Sequence, residues 1–199
     1  MNQLIDSITG MLGSTAIDQI SSALGGTTDR NLISDAIGGA TPALISGLAS
    51  RVAEGAESAA SMQQMLGGLD TDFLGDLGSY FGGGNFDVGG GILDSILGGR
   101  ADGIVDGIAR MVGLDKGIMG MIFKMIAPII IGAITKQMRG ASMDMVGVGG
   151  MLTQAKGYYE KTSPDAMGTI DKIVAGDQSI LDQLGDMGKN LLGGLLGRG

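Results

Sequence analysis

The sequence predicts an all-α protein: a duplicated helical bundle with two long, proline-bent helices and a helical C-terminal tail. Apolar residues recur at intervals of three and four along most of the chain, and no alternating run of β-branched residues reaches strand length. The most apolar helical stretch, KMIAPIIIGAITKQ from Lys124 to Gln137, carries a proline. At 199 residues with 44% hydrophobic content, the chain can bury a sizeable core.

The composition excludes several kinds of chemistry. The chain has 39 glycines, 4 phenylalanines, 3 tyrosines and no tryptophan, so its core must consist mainly of Leu, Ile, Met and Ala. It has no cysteine and no histidine, which removes disulfides, thiol nucleophiles, the usual general base and the commonest metal ligand. The 13 basic residues are scattered and the net charge is −8, so nucleic acid is not an expected partner. We therefore predict a protein that is not an enzyme and needs no cofactor.

Two parts of the chain repeat one pattern. The stretch TPALISGLASR at 41–51 matches APIIIGAITKQ at 127–137, and the offset of 86 places Pro42 opposite Pro128. This internal similarity predicts a tandem duplication. Each copy would contain a short amphipathic helix, a turn and a longer helix that carries the proline.

Asp29 and Asp115 hold equivalent positions in the two copies. Aspartate is favoured just before a helix because its carboxylate accepts hydrogen bonds from the free N–H groups of the first turn. The long helices are therefore predicted to begin at these residues. The predicted organisation is a first helical repeat at 1–66, a glycine-rich linker or loop at 67–91, a second helical repeat at 92–140 and a C-terminal helical extension at 141–199.

The glycine-rich linker contains Tyr80, Phe81 and Phe86. Aromatic side chains in such a segment predict that it is pinned onto the body of the protein. Three aspartates between residues 70 and 76 lack the spacing and the terminal glutamate of a calcium-binding EF-hand, so we interpret them as solvated turn residues.

The C-terminal extension predicts two further helices. One begins at Ser163-Pro164, with serine as the cap and proline at the first helical position. The other begins near Gln178 and presents an apolar stripe that must be covered. We interpret it as an element of self-association, and the alternative is that the tail folds back onto its own chain. Its candidate residues are Ile180, Leu184, Met187, Leu191, Leu192, Leu195 and Leu196.

A second candidate for self-association is the glycine row Gly99, Gly103 and Gly107. Glycines four residues apart form a groove on a helix against which another backbone can pack closely. Each glycine costs helix stability by about 1 kcal/mol relative to alanine, so close packing must offset that cost. The contact is predicted to lie either inside the chain, which is the preferred interpretation, or between subunits.

The run from residue 90 to residue 140 carries a family resemblance. It contains a glycine-ended helix at 96–99, a Gly-Leu turn at 113–114, and an apolar helix with Ala-Pro followed by small residues at 127–133. In these features the sequence resembles the bacterial family of unknown function 937, over about residues 1–155. The resemblance implies a helical fold and a bacterial origin, and it brings no catalytic residues.

The apolar run at 118–134 raises the question of a membrane span. Its 17 residues would form a helix of about 25 Å, against about 30 Å for the hydrocarbon core of a bilayer. Lys124 lies near its middle, where a charge is costly in lipid, and the matching stretch of the first copy contains Asp35. The run is therefore predicted to be the core of a bundle, and a membrane role is the less favoured alternative.

Pro42 and Pro128 are each predicted to bend a long helix. Proline lacks an N–H group and its ring crowds the carbonyl four residues back, which is that of Gly38 in the first copy and Lys124 in the second. A bend lets one long helix wrap around its partner. Nothing beside either proline indicates a ligand, so their predicted role is structural.

The leading functional prediction is a self-associating structural or scaffold protein whose partner is another copy of itself. The alternatives are a membrane-peripheral or membrane-active helical protein and a binding module for an apolar ligand in a methionine-lined cavity. The opening residues lack a basic segment followed by a continuous apolar run, so the predicted location is the cytoplasm.

Overall fold

A computed structural model of the protein describes residues 3–83, 86–177, 179–180 and 182–184. These residues form helices joined by short turns, with no strand among them, which confirms the predicted all-α fold. The first half contains α1 (Gln3–Met11), α2 (Ser14–Ala23), α3 (Arg30–Ala53) and α4 (Ala56–Gly68), followed by a 3-10 helix (Asp72–Gly75) and α5 (Leu77–Gly82). The second half contains α6 (Asp87–Leu97), a 3-10 helix (Gly98–Arg100), α7 (Ala101–Val112), α8 (Lys116–Gly140), α9 (Met145–Thr162) and α10 (Pro164–Ala175).

Both long helices begin where their capping aspartates predict. The Asp29 carboxylate accepts a hydrogen bond of 2.7 Å from the backbone N–H of Asn31, at the start of α3. The Asp115 carboxylate accepts hydrogen bonds from the N–H groups of Gly117 at 2.7 Å and Ile118 at 3.2 Å, at the start of α8. These bonds satisfy donors that the first helical turn leaves free.

Helices α3 and α8 contact each other and form the centre of the molecule. Every residue from 39 to 48 in α3 and from 125 to 135 in α8 is buried, so each helix is covered on all sides over about three turns. A helix that is covered on all sides is a core helix. The isoleucines of the apolar run of α8 that are buried in this way include Ile122, Ile126, Ile130 and Ile134.

These two helices are also the described helices that are long and apolar enough to cross a membrane. In each, 72% of the most apolar window is buried inside the protein. The core helices of water-soluble proteins meet the same criteria of length and composition. Burial by protein is what the core interpretation of this run predicts.

The remaining helices surround this pair, and the C-terminal extension is part of that shell. Helices α9 and α10 both pack against α3. The hydroxyl of the buried Ser46 in α3 donates to a carboxylate oxygen of Asp171 in α10 at 2.7 Å. The same oxygen lies 3.0 Å from Nζ of Lys156 in α9. One carboxylate therefore joins three helices.

Helix α6 approaches α8 more closely than a side chain would allow. A Cβ atom built on Gly89 would overlap the carbonyl oxygen of Lys124 and lie 2.9 Å from its Cα atom. Only glycine fits this position without moving one of the two backbones. The contact brings α6 against α8 one turn before Pro128.

The segment predicted as a loop at 67–91 is largely helical. It contains the first 3-10 helix and α5, and α6 begins at Asp87 rather than at the predicted start of the second repeat, residue 92. Helix propensity alone disfavours the glycines at 89–91, but the packing of Gly89 on α8 requires glycine in the first turns of α6. Tertiary contact thus overrides the local preference.

Two smaller predictions concern helix ends and prolines. Helix α10 begins at Pro164 as predicted, but the side chain of Ser163 makes no capping hydrogen bond. Ser163 also ends α9, where its N–H donates to the carbonyl of Tyr159 at 2.9 Å. Helices α3 and α8 continue through Pro42 and Pro128, and the bends at these residues remain a prediction.

Candidate functional site

Two aspartates of the glycine-rich segment, Asp70 and Asp76, are used in local structure. No group of three or more His, Cys, Asp or Glu side chains is placed to hold a metal ion in the part of the chain that the structure describes. Asp70 accepts a hydrogen bond from the N–H of Asp72 at 2.9 Å. Hydrogen bonds from the hydroxyl and the N–H of Ser79 hold the pKa of Asp76 below its usual value. These carboxylates stabilise the turns around α5.

An aromatic cluster anchors the glycine-rich segment. The ring of Tyr80 lies 5.0 Å from that of Phe73, 5.3 Å from that of Phe81 and 6.1 Å from that of Phe86. Phe81 is buried and the other rings pack against the hydrophobic core, which confirms that aromatic residues pin this segment to the body. Burial raises the pKa of Tyr80 to about 12, because the charged phenolate is poorly solvated there.

An open cleft of about 680 Å³ lies beside this cluster, between α2 and α5. We call it the α2 cleft. Phe81, Phe86 and Met121 contribute apolar lining, and apolar surface exceeds polar surface. Gln19 of α2 also lines it, and its buried Oε1 atom has no hydrogen-bond partner among the described residues. The α2 cleft therefore has a mainly apolar surface, and one of its lining residues carries a buried acceptor without a partner among the described residues.

A second open cleft, of about 550 Å³, lies between α6, α7 and α8. We call it the α7 cleft. Leu93 of α6 and Val105 of α7 line its walls, and Gly117, Gly120 and Met121 of α8 also line it. The two glycines leave little side-chain volume on this face of α8, so the backbone of a partner can approach closely.

Met121 separates the two clefts and lines both. Its side chain is 42% exposed, which is unusual for a large apolar residue of a core helix. Val88, which is 58% exposed, lies in sequence between Phe86 of the α2 cleft and Gly90 of the α7 cleft. We call this surface, Met121 with the clefts on its two sides, the α8 face. An exposed apolar surface of this kind is typical of a docking site.

The α8 face was not predicted. Met121 lies in the continuous apolar run that was predicted to be the core of a bundle, whereas the structure exposes both Met121 and Lys124. The available signal was spacing, because Gly117, Met121 and Lys124 recur at intervals of four and three and share one side of the helix. Which side faces solvent depends on how α2, α5, α6 and α7 pack around it.

The predicted glycine row is not a single groove. Gly99 lies in the 3-10 helix before α7, whereas Gly103 and Gly107 lie in α7 itself. A 3-10 helix advances by three residues a turn rather than 3.6, so Gly99 does not continue the row of the α-helix. Gly103 is exposed with open space at its Cβ position, and Gly107 is buried.

The first two residues of the predicted tail stripe contact the helical body of the protein. Ile180 and Leu184 are partly buried and pack against the hydrophobic core. The predicted start near Gln178 lies outside the described residues, and so do the remaining candidates: Met187, Leu191, Leu192, Leu195 and Leu196. Ile180 and Leu184 therefore pack against the body of their own chain.

These features define an all-α protein with an exposed apolar residue between two clefts in the part of the chain that the structure describes. The chain matches a family model described as "Bacterial protein of unknown function (DUF937)" over residues 6–137, and it belongs to that family. The match confirms the resemblance seen in the sequence. Every residue that lines the α2 cleft or the α7 cleft falls inside the matched range. A search of curated proteins and a search of solved structures gave no match.

Proposed function

We propose that this protein is a non-enzymatic, self-associating structural or scaffold protein that assembles through the α8 face. The observation that supports this proposal is the exposed Met121 between two apolar clefts. Removing apolar surface from water is favourable by about 25 cal/mol per Å², so a second copy that covers this face would gain stability. Methionine suits such a surface because its flexible side chain adapts to a partner.

The test is the solution mass of Met121→Lys measured by light scattering. Lysine at this position would bring an unpaired charge into the proposed interface, where desolvation is costly, so we expect loss of the assembled species. Val146→Lys is the matched control, because Val146 is 82% exposed and lines neither cleft. It should keep the wild-type mass. A Met121→Lys protein that is folded by circular dichroism and keeps the wild-type mass contradicts the proposal.

The α2 cleft favours a second candidate function, a binding module for an apolar ligand. Its volume of about 680 Å³ is in the range of small-molecule sites, and Gln19 supplies a buried acceptor for one donor group of the ligand. Organic extraction of the purified protein followed by mass spectrometry would identify a retained molecule. Recovery of one compound in a stoichiometric amount, lost on Gln19→Leu, would favour this function over self-association.

The remaining alternative is a membrane-peripheral protein. An exposed apolar surface also binds bilayers, so flotation with liposomes tests this alternative directly. Self-association without membrane binding predicts that the wild-type protein stays at the bottom of the density gradient. The Met121→Lys protein should stay there as well. A cytoplasmic location accompanies the proposal.

A further inference from the structure

We infer that the α8 face is occupied by residues 185–199 of a second copy, so that each copy lends its C-terminal segment to the other. This inference rests on the proposed self-association and names the partner segment. The segment reads GDMGKNLLGGLLGRG and lies outside the described residues.

The pattern of the segment matches the layout of the face. It contains two leucine pairs, at 191–192 and 195–196, separated by Gly193 and Gly194. The α8 face has two apolar clefts separated by the side chain of Met121. One leucine pair would fill each cleft, and the two glycines would pass over the methionine, where a larger side chain would clash. Gly117 and Gly120 would leave room for that close approach.

The charge of the segment is opposite to that of the rest of the chain. It contains Lys189, Arg198 and Asp186, a net charge of +1, whereas the whole chain carries −8 and the remainder therefore −9. Two acidic bodies repel each other, and a basic apolar segment reduces that repulsion where it docks. The complementarity is between the segment and the body as a whole, because the α7 cleft is lined by two carboxylates and two lysines, and Asp102 there pairs with Lys116 at 2.6 Å.

The end of α10, ten residues before the segment, lies beside the start of α7. The Arg100 guanidinium donates to the carbonyl of Val174 at 3.2 Å, which holds the end of α10 beside the start of α7. Ala101 and Asp102, the next two residues, line the α7 cleft. Fifteen residues in extended form reach about 50 Å, which exceeds the radius of gyration of about 16 Å expected for a compact body of this size. The segment is thus long enough to reach the face of a neighbouring copy.

Docking between copies and docking within one chain have opposite consequences. A segment that covered the face of its own chain would remove the surface through which copies associate, and the protein would be monomeric. A segment exchanged between two copies joins them by two equivalent contacts and gives a closed twofold dimer. The exchange therefore accounts for both the apolar segment and the exposed face.

Cysteine cross-linking tests the contact, because the natural chain has no cysteine. Full-length chains carrying Met121→Cys are mixed with full-length chains carrying Leu192→Cys under mild oxidation. We expect a disulfide between the two different chains, identified by mass spectrometry after proteolysis. The control mixture pairs Val146→Cys with Leu192→Cys, since Val146 is exposed and lines neither cleft. Equal yields in the two mixtures would overturn the inference.

A complementation experiment separates this inference from the proposed function. The tail variant carries serine at all four leucines, and the face variant is Met121→Lys. Each variant alone should be monomeric, and their mixture should form a dimer, because the intact segment of the face variant meets the intact face of the tail variant. If the tail variant keeps the wild-type mass while Met121→Lys is monomeric, the inference is wrong and the proposed function stands. If both variants keep the wild-type mass, the proposed function fails as well.

Discussion

At the scale of single residues, the proline of α8 has a counterpart on another helix. Pro128 has no N–H group to donate to the carbonyl of Lys124, four residues back, so that carbonyl loses its usual α-helical donor. Gly89 of α6 packs directly against this carbonyl, and the position that a Cβ atom would take is occupied by a glycine hydrogen. The Cα–H group of Gly89 therefore faces the Lys124 carbonyl oxygen, and a Cα–H···O contact of this kind contributes about 0.5–1 kcal/mol.

Gly89→Ala should therefore destabilise the protein strongly. The added methyl group would overlap the Lys124 carbonyl oxygen, and relieving the clash requires α6 to move away from α8. Overpacking of this kind costs about 1–3 kcal/mol, which urea unfolding followed by circular dichroism would measure.

Gly91→Ala is the matched control for this prediction. Gly91 lies on the same helix, is exposed and has open space at its Cβ position. Alanine should raise stability there by about 0.5–1 kcal/mol, because it has the higher helix propensity. Equal effects of the two substitutions would show that the contact between Gly89 and Lys124 is not tight.

Only one half of this contact could be predicted from the sequence. The sequence identifies Lys124 as the residue whose carbonyl Pro128 releases, because that relation is local. It does not identify Gly89 as the residue that covers the carbonyl, because the pairing depends on how α6 crosses α8. The chain has 39 glycines, and nothing local distinguishes this one.

At the scale of elements, helix starts were predictable and the glycine-rich connection was not. Asp29 and Asp115 were recognised because a capping carboxylate acts within three residues of its own position. The 3-10 helix and α5 form within a sequence of low helix propensity, because Phe81 and its neighbouring rings pack on the core. Long-range packing of that kind leaves no periodic signal in a short, glycine-rich segment.

The three-helix contact of Asp171 gives a prediction at this scale. Asp171→Ala would remove the acceptor of the buried Ser46 hydroxyl and the nearest carboxylate of Lys156. A buried hydroxyl without a partner costs about 1–3 kcal/mol, so we expect a loss of that order in the free energy of unfolding.

Glu160→Ala is the matched control, because Glu160 approaches the same lysine. Its carboxylate lies 3.9 Å from Nζ of Lys156 and its side chain is 53% exposed, without a buried hydroxyl partner in the described contacts. Exposed pairs contribute about 0–1 kcal/mol, so this substitution should change stability little. If Glu160→Ala lowers the free energy of unfolding as much as Asp171→Ala does, the stabilisation comes from neutralising the charge of Lys156 and not from the hydrogen bond of Ser46.

At the scale of the whole molecule, the two central helices are buried over corresponding stretches. The buried stretch of α3 begins at 39 and that of α8 at 125, an offset of 86 that equals the offset of the two prolines. Equivalent burial is what a duplicated unit requires. The asymmetry lies outside the pair, since α9 and α10 pack on α3 and supply a cover that the repeat pattern does not describe.

The α8 face belongs to this largest scale, which explains why the sequence did not reveal it. An apolar residue on a core helix is normally buried. The spacing of Gly117, Met121 and Lys124 places them on one side of α8, but it does not say that this side faces solvent. Its exposure arises because α2 and α5 on one side, and α6 and α7 on the other, leave a gap over α8. The tail stripe, in contrast, could be predicted from the sequence, because its leucines are separated by glycines and not by charged or polar residues.

Two truncations that differ by seven residues test how the tail is divided between these roles. Deletion of 185–199 removes only the segment proposed to dock on a second copy, so the melting temperature of the monomer should be nearly unchanged and the assembly mass should fall.

Deletion of 178–199 also removes Ile180 and Leu184, which pack against the core of their own chain. Full burial of such a side chain stabilises a protein by about 1.5–3 kcal/mol, and each of these two partly buried side chains should stabilise the body by less than this. The longer deletion should therefore also lower the melting temperature. Calorimetry and light scattering on the two truncated proteins would measure both effects. If the shorter deletion keeps the wild-type mass, the tail does not hold the copies together; if the longer one melts like the shorter, Ile180 and Leu184 do not stabilise the body.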